Sequence, residues 1–198
     1  LKLKTWSTDE ILGTVEEGLT IKGQPGRYAD MLEGKTLAML FQKTSTRTRV
    51  SFEVGMHQLG GQAVFLDWSA TNFGLADLAD EAQVLSRYAN VIIARMLRHD
   101  DLRQLASGSE VPVINGCCDR YHPCQALGDL LTILEVRGKL EGAHVVYVGV
   151  RNNVCNSLIE ACTKAGVRIT AVTPEVNEPA EDTDLITRAK ATGLFEET

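Results

Sequence analysis

Short apolar runs alternate with helix-patterned segments from residue 36 onward, and this rhythm constrains the fold more than any other feature. "TLAMLF" (36–41), "AVFL" (63–66), "VIIA" (91–94) and "VPVIN" (111–115) have the length and composition of buried strands. Helical patterns fill 47–60, 75–89 and 100–107 between them, and a long helix is expected over 123–138. Strands buried on both faces are parallel strands joined by crossover helices, so the expected class is α/β. The pattern then restarts, with strands over 143–149 and 168–174 and helices over 156–166 and 183–193. An amphipathic helix over 7–20 precedes the series, with Ser7 and Glu10 at capping-box spacing. The expected organisation is two parallel-sheet α/β domains, 1–138 and 139–198, divided where the long helix ends near Gly138. Two strands and two helices are too little sheet to bury both faces, so the second domain is expected to be truncated.

The totals exclude several classes. A net charge of −6 and a pI near 5.3 argue against a nucleic-acid partner, which needs a basic face. No apolar run approaches the roughly 20 residues that span a bilayer, so no membrane partner is expected. The cysteines at 117, 118, 124, 155 and 162 are odd in number and include no Cys-x-x-Cys pair. Free or buried thiols in a reducing, cytoplasmic setting are the expectation. The histidines at 57, 99, 122 and 144 show no ligand spacing, so no metal is expected. His57 and His99 read as solvated or boundary helix residues, and His144 as a neighbour of a strand.

The chemistry concentrates at strand ends. Between the first strand and its helix stand Lys43, Arg47 and Arg49, interleaved with Thr44, Ser45, Thr46 and Thr48. In open α/β sheets, ligands sit at the carboxyl ends of the strands. The first turn of a helix adds unpaired N–H groups and partial positive charge. Hydroxyls and the planar fork of Arg47 complete a setting suited to a phosphate-like anion. The plainer reading is a Ser45 or Thr46 helix cap with solvated arginines. The loop has neither Walker A spacing nor a dinucleotide fingerprint. Arg95 follows the third strand, where a surface ion pair is the plain alternative. His122 and Gln125 follow the fourth, with Pro123 at the first helical position and His122 as cap. Three strand ends thus supply hydroxyl, guanidinium, imidazole and amide groups.

Taken together, "STRTR" (45–49), Arg95, "HPCQ" (122–125) and "GVRNNVCNSL" (149–158) resemble the aspartate/ornithine carbamoyltransferase family, in its ornithine branch. The resemblance runs from about residue 7 to 190. It implies a cytoplasmic two-domain enzyme that assembles as a homotrimer or a multiple of trimers, with no cofactor. The first domain would bind carbamoyl phosphate and the second ornithine. By position, Ser45, Thr46, Arg47 and Thr48 would hold the phosphate, and Arg95, His122 and Gln125 the carbamoyl end, with Thr48 also serving its carbonyl oxygen. Asn153 would contact ornithine. Asn72 stands where the family often carries a glutamine that reaches a neighbouring subunit's site. Val150 replaces a family aspartate, and the later ornithine-binding segments are expected beyond Thr198. Carbamoyl transfer to another amine (aspartate, putrescine, an N-acylated ornithine) stays open, as does a non-catalytic anion-binding module.

Overall fold

The computed structural model describes residues 1–198. Packing divides them into two compact units: Leu1 with Ile21–Cys118, and Lys2–Thr20 with Asp119–Thr198.

The first unit is a four-stranded parallel sheet with helices between its strands. The chain runs β1 (Thr36–Phe41), α2 (Thr46–Gln58), β2 (Gln62–Asp67), α3 (Leu78–Leu85), β3 (Val91–Arg95), α4 (His99–Gly108) and β4 (Val113–Cys117), after helix α1 (Thr8–Gly23). Strand order is β2-β1-β3-β4. β1 is central and buried from Leu37 to Phe41, which explains its uninterrupted apolar run. β2 is an edge strand, and its sequence accordingly mixes polar and apolar residues. Leu37, Met39, Phe41, Met56 and Ile93 form one core, with Phe52 and Phe65 packed on it. α3 and α4 meet so closely that a side chain on Gly108 would lie 2.0 Å from the Ala79 carbonyl oxygen. Only glycine fits there.

The second unit has three parallel strands in the order β5-β6-β7: β5 (His144–Val148), β6 (Arg168–Val172) and β7 (Phe195–Glu197). α5 (Pro123–Arg137), α6 (Asn153–Lys164), α7 (Thr183–Ala191) and most of α1 pack with it. Its core joins Ile11 and Val15 of α1, Ala126 and Leu130 of α5, Ile159 and Cys162 of α6, and Ile169 of β6. α6 is buried without a break from Cys155 to Cys162. Glu160 within that run is only 2% exposed and is held by Arg188 at 3.0 Å. The Ser7–Glu10 box forms as spaced: the Glu10 N–H donates to Ser7 Oγ at 3.1 Å, and the Ser7 N–H to Glu10 Oε2 at 2.6 Å.

Four details differ from the sequence reading. The second sheet has a third strand, because three residues at 195–197 pair with β6 (Ile169 beside Phe195). α6 begins at Asn153 rather than 156, capped by Asn152. His99 is buried, not solvated, with its Nδ1 3.4 Å from Cys118 Sγ. α5 and most of α1 pack with the second sheet, whereas the sequence division at Gly138 groups both with the first. No disulfide forms among the five cysteines, and burial pushes the Cys155 and Cys162 thiols up to about 12. No helix is long and apolar enough to cross a membrane.

Candidate functional site

In the first sheet the chain goes from β1 outward to β2, then returns to place β3 on the other side of β1. That reversal opens a crevice at the carboxyl ends of β1 and β3, where open α/β sheets bind ligands. The register makes these ends flush. Phe41 pairs with Arg95, and the Gln42 N–H donates to the Arg95 carbonyl at 2.9 Å. Gln42 Oε1 also accepts the Leu97 N–H at 2.6 Å, tying the two strand-end loops together.

α2 starts at this crevice. Ser45 is its N-cap, in extended conformation, and its Oγ accepts the Thr48 N–H at 3.4 Å. The Ser45 hydroxyl donates to Thr48 Oγ1 at 3.0 Å, so the two hydroxyls are held side by side. The amides of Thr46 and Arg47 fall in the first turn, where no intrahelical acceptor exists. That turn contains no acidic residue. The same holds for α5 and α6, while α1, α3, α4 and α7 each carry Asp or Glu there. The helix starts that bear the sequence-derived site residues are therefore those whose positive ends no acid neutralises.

Packing separates the two arginines of α2. Arg49 lies over the Phe65 ring at 3.7 Å and pairs with Glu53 at 3.0 Å, which commits it to docking α2 on β2. Arg47 is exposed at the helix start. Arg95 ends β3 at a register shift: Ala94 faces Asn115 but Arg95 faces Cys117, so Gly116 is the extra residue of a bulge. A side chain on Gly116 would press on Ile93 at 3.0 Å. Bulges re-aim the neighbouring side chain. The Arg95 Nε is buried with no hydrogen-bond partner, a donor without an acceptor inside the protein. Cys117, next along β4, holds φ 154°, a backbone state that a non-glycine residue rarely adopts.

His122 and Gln125 belong to the second unit, at the start of α5. His122 is the N-cap, and its backbone N–H donates to Ser157 Oγ on α6 at 2.8 Å. Gln125 donates from Nε2 to Asp129 Oδ1 at 2.9 Å. Asn153 opens α6 beside its cap Asn152, whose Oδ1 accepts the Val154 and Cys155 N–H groups. Val150 is exposed, and Arg151 after it is buried and bound to Glu197 at 2.6 Å, which pins β7 to this loop. Asn72 lies exposed on a 3₁₀ turn, Asn72–Gly74, anchored by buried Phe73 against Trp68.

In the first unit Ser45, Thr46, Arg47 and Thr48 open α2 beyond the end of β1, and Arg95 ends β3 in register with Phe41 of β1. His122, Gln125 and Asn153 stand at the starts of two adjacent helices in the second unit, and Asn72 stands apart on its turn. Sequence reasoning missed Gln42, Asp129 and Ser157 as supports. The four-residue spacing of Gln125 and Asp129 was a usable signal for one of them.

A family model described as "Aspartate/ornithine carbamoyltransferase, carbamoyl-P binding domain" matches residues 1–135, well over half of the chain. The chain belongs to the aspartate/ornithine carbamoyltransferase family. Proteins named ornithine carbamoyltransferase from Methanobrevibacter smithii and Bacillus subtilis are 49% and 45% identical over 176 and 183 residues. These alignments cover 88% and 92% of this chain and 58% and 57% of those proteins. The solved ornithine carbamoyltransferase of Pyrococcus furiosus superposes with a TM-score of 0.88 at 44% identity, covering 98% of this chain and 64% of that one. The Thermus thermophilus enzyme gives 0.88 at 39% identity, covering 100% and 67%. The chain therefore covers between 57% and 67% of these carbamoyltransferase relatives, and both of its parallel-sheet units fall within the shared fold.

Proposed function

We propose that this chain carries the carbamoyl phosphate site of an ornithine carbamoyltransferase, with residues 1–138 as the carbamoyl-phosphate-binding domain and 139–198 as part of the ornithine-binding domain. The observation that carries the reading is the flush pairing of Phe41 with Arg95: β3 ends on a buried, unpartnered guanidinium nitrogen, and the strand paired with it leads into the acid-free start of α2. A small dianion with a polar head suits that combination.

In the proposed reaction the neutral δ-amine of ornithine attacks the carbonyl carbon of carbamoyl phosphate. Phosphate leaves with the C–O bonding electrons, the amine loses a proton, and citrulline forms. Negative charge grows on the carbonyl oxygen and on the departing phosphate, so donors fixed at both points lower the barrier. Arg47, Ser45, Thr46 and the first-turn amides of α2 serve the phosphate. Arg95, His122 and the Thr48 hydroxyl serve the carbonyl oxygen, while Gln125 accepts from the carbamoyl NH₂ and fixes its orientation. Asn153, at the start of α6, takes the amino acid. Asn72 is the residue proposed to reach a neighbouring subunit in a cytoplasmic homotrimer or multiple of trimers. A carbonyl already activated by a phosphate leaving group requires no covalent enzyme intermediate.

Calorimetric titration of carbamoyl phosphate tests the site. Arg47→Ala is expected to weaken binding by about 2–4 kcal/mol, roughly 30- to 1000-fold. An unchanged affinity overturns the assignment.

A further inference from the structure

We infer that Asp129 is a positioning residue that holds the Gln125 amide in one of its two orientations and so selects a carbamoyl group over an acetyl group. The inference rests on the reading of Gln125 as the partner of the carbamoyl NH₂.

Gln125 and Asp129 lie one turn apart on α5, joined by the 2.9 Å bond from Nε2 to Oδ1. A primary amide has a donor end and an acceptor end of nearly equal size, and its neighbours decide which way it points. A carboxylate only accepts. With Asp129 as its acceptor, Gln125 commits its NH₂ to the carboxylate one turn on and leaves Oε1 as the amide's available acceptor. The opposite orientation would set the Gln125 oxygen against the Asp129 carboxylate and forfeit the hydrogen bond.

Asp129 is suited to this task by its surroundings. It is half-buried between exposed Gly128 and fully buried Leu130, and it lies near enough to Cys162 of α6 to raise that thiol's pKa. Burial raises the Asp129 carboxyl above the ordinary aspartate value, while the bond from Gln125 works in the opposite direction and favours the ionised acceptor. The side chain is thus anchored in the second unit's packing, and Gln125 is exposed above it.

A carbamoyl group offers two N–H donors where an acetyl group offers a methyl. An outward amide oxygen distinguishes the two, because the methyl leaves that acceptor unpaired. An outward NH₂ would reverse the preference for the donor.

The test is calorimetry of the 198-residue chain with carbamoyl phosphate, acetyl phosphate and inorganic phosphate. The expected wild-type result is tighter binding of carbamoyl phosphate than of acetyl phosphate. Asp129→Asn, which accepts either amide orientation, is expected to lower that ratio roughly three- to tenfold while inorganic phosphate binds as before. The swap Gln125→Glu with Asp129→Asn again fixes an outward oxygen and an i,i+4 bond, and it is expected to restore the preference. The swap also keeps the test decisive if Asp129→Asn alone does not fold. A ratio unchanged in Asp129→Asn, equal weakening of all three ligands, or a swap without preference overturns the inference and leaves the carbamoyl phosphate site standing. A wild-type chain that binds neither ester overturns both.

Discussion

α2 and α4 leave the carboxyl ends of the neighbouring strands β1 and β3, yet their first turns differ in kind. α4 opens with Asp100 and Asp101, and it buries His99, Leu102 and Leu105. Its own acids answer its positive end. α2 opens with Thr46, Arg47 and Thr48 behind a serine cap, carries no acid there, and buries only Met56. One helix start is closed electrostatically and built for packing. The other leaves its field unspent at the sheet's switch point, the setting proposed above for an anion.

Moving an acid from one start to the other breaks this contrast most severely. Thr46→Glu places a carboxylate in the first turn of α2, and carbamoyl phosphate affinity measured by calorimetry should fall on the order of a hundredfold or more. The same substitution should leave thermal stability unchanged or slightly raised, since the helix end is now neutralised. Full binding by this variant would show that the α2 start does not face the anion.

The next effect separates the two arginines. Arg49→Ala removes the contact with Phe65 and the pair with Glu53, and it should cost about 1 kcal/mol in a denaturant melt. Carbamoyl phosphate affinity should stay within about twofold, in contrast to Arg47→Ala. Equal loss of binding from both would erase the distinction that packing draws between them.

A smaller effect belongs to α4. Asp101→Asn should destabilise the fold by about 0.3–1 kcal/mol and leave anion binding untouched. The smallest concerns Asp182, the N-cap of α7, which accepts from the Tyr121 hydroxyl and the Leu185 N–H. Burial pulls its carboxyl up, but these hydrogen bonds outweigh burial and hold it below the ordinary value of 3.8. A folded-state pKa below the unfolded one gives stability that is complete above pH 3.8 and lost as pH falls through the folded value. Melts of Asp182→Asn should show a shallower acid limb than wild type, and parallel limbs would remove Asp182 from the account.

Much of the fold was legible because its signals are local. An uninterrupted apolar run marks the central strand β1, the Ser7–Glu10 spacing marks a cap, and Pro123 marks a first helical residue. The start of α2 was legible for the same reason, since Ser45 to Thr48 are consecutive and form its cap and first turn. What escaped depends on partners distant in sequence. β7 is three residues that become a strand only beside Ile169 to Ala171 of β6. His99 is buried by Cys118, nineteen residues on. Nothing near Arg49 signals that Phe65 will lie beneath it.

The sequence by itself determined the helices and the strands other than β7, which helix starts are free of acid, and which residue types stand at the strand ends. Those properties follow from side-chain pattern and cap chemistry within a few residues. Tertiary structure alone decided the strand order β2-β1-β3-β4, and with it the crevice between β1 and β3. It also decided the bulge in β4 opposite Arg95, the commitment of Arg49 to Phe65, and the hold of Ser157 on His122. Each of these is a contact between residues far apart in the chain, and its geometry exists only once the backbone has packed.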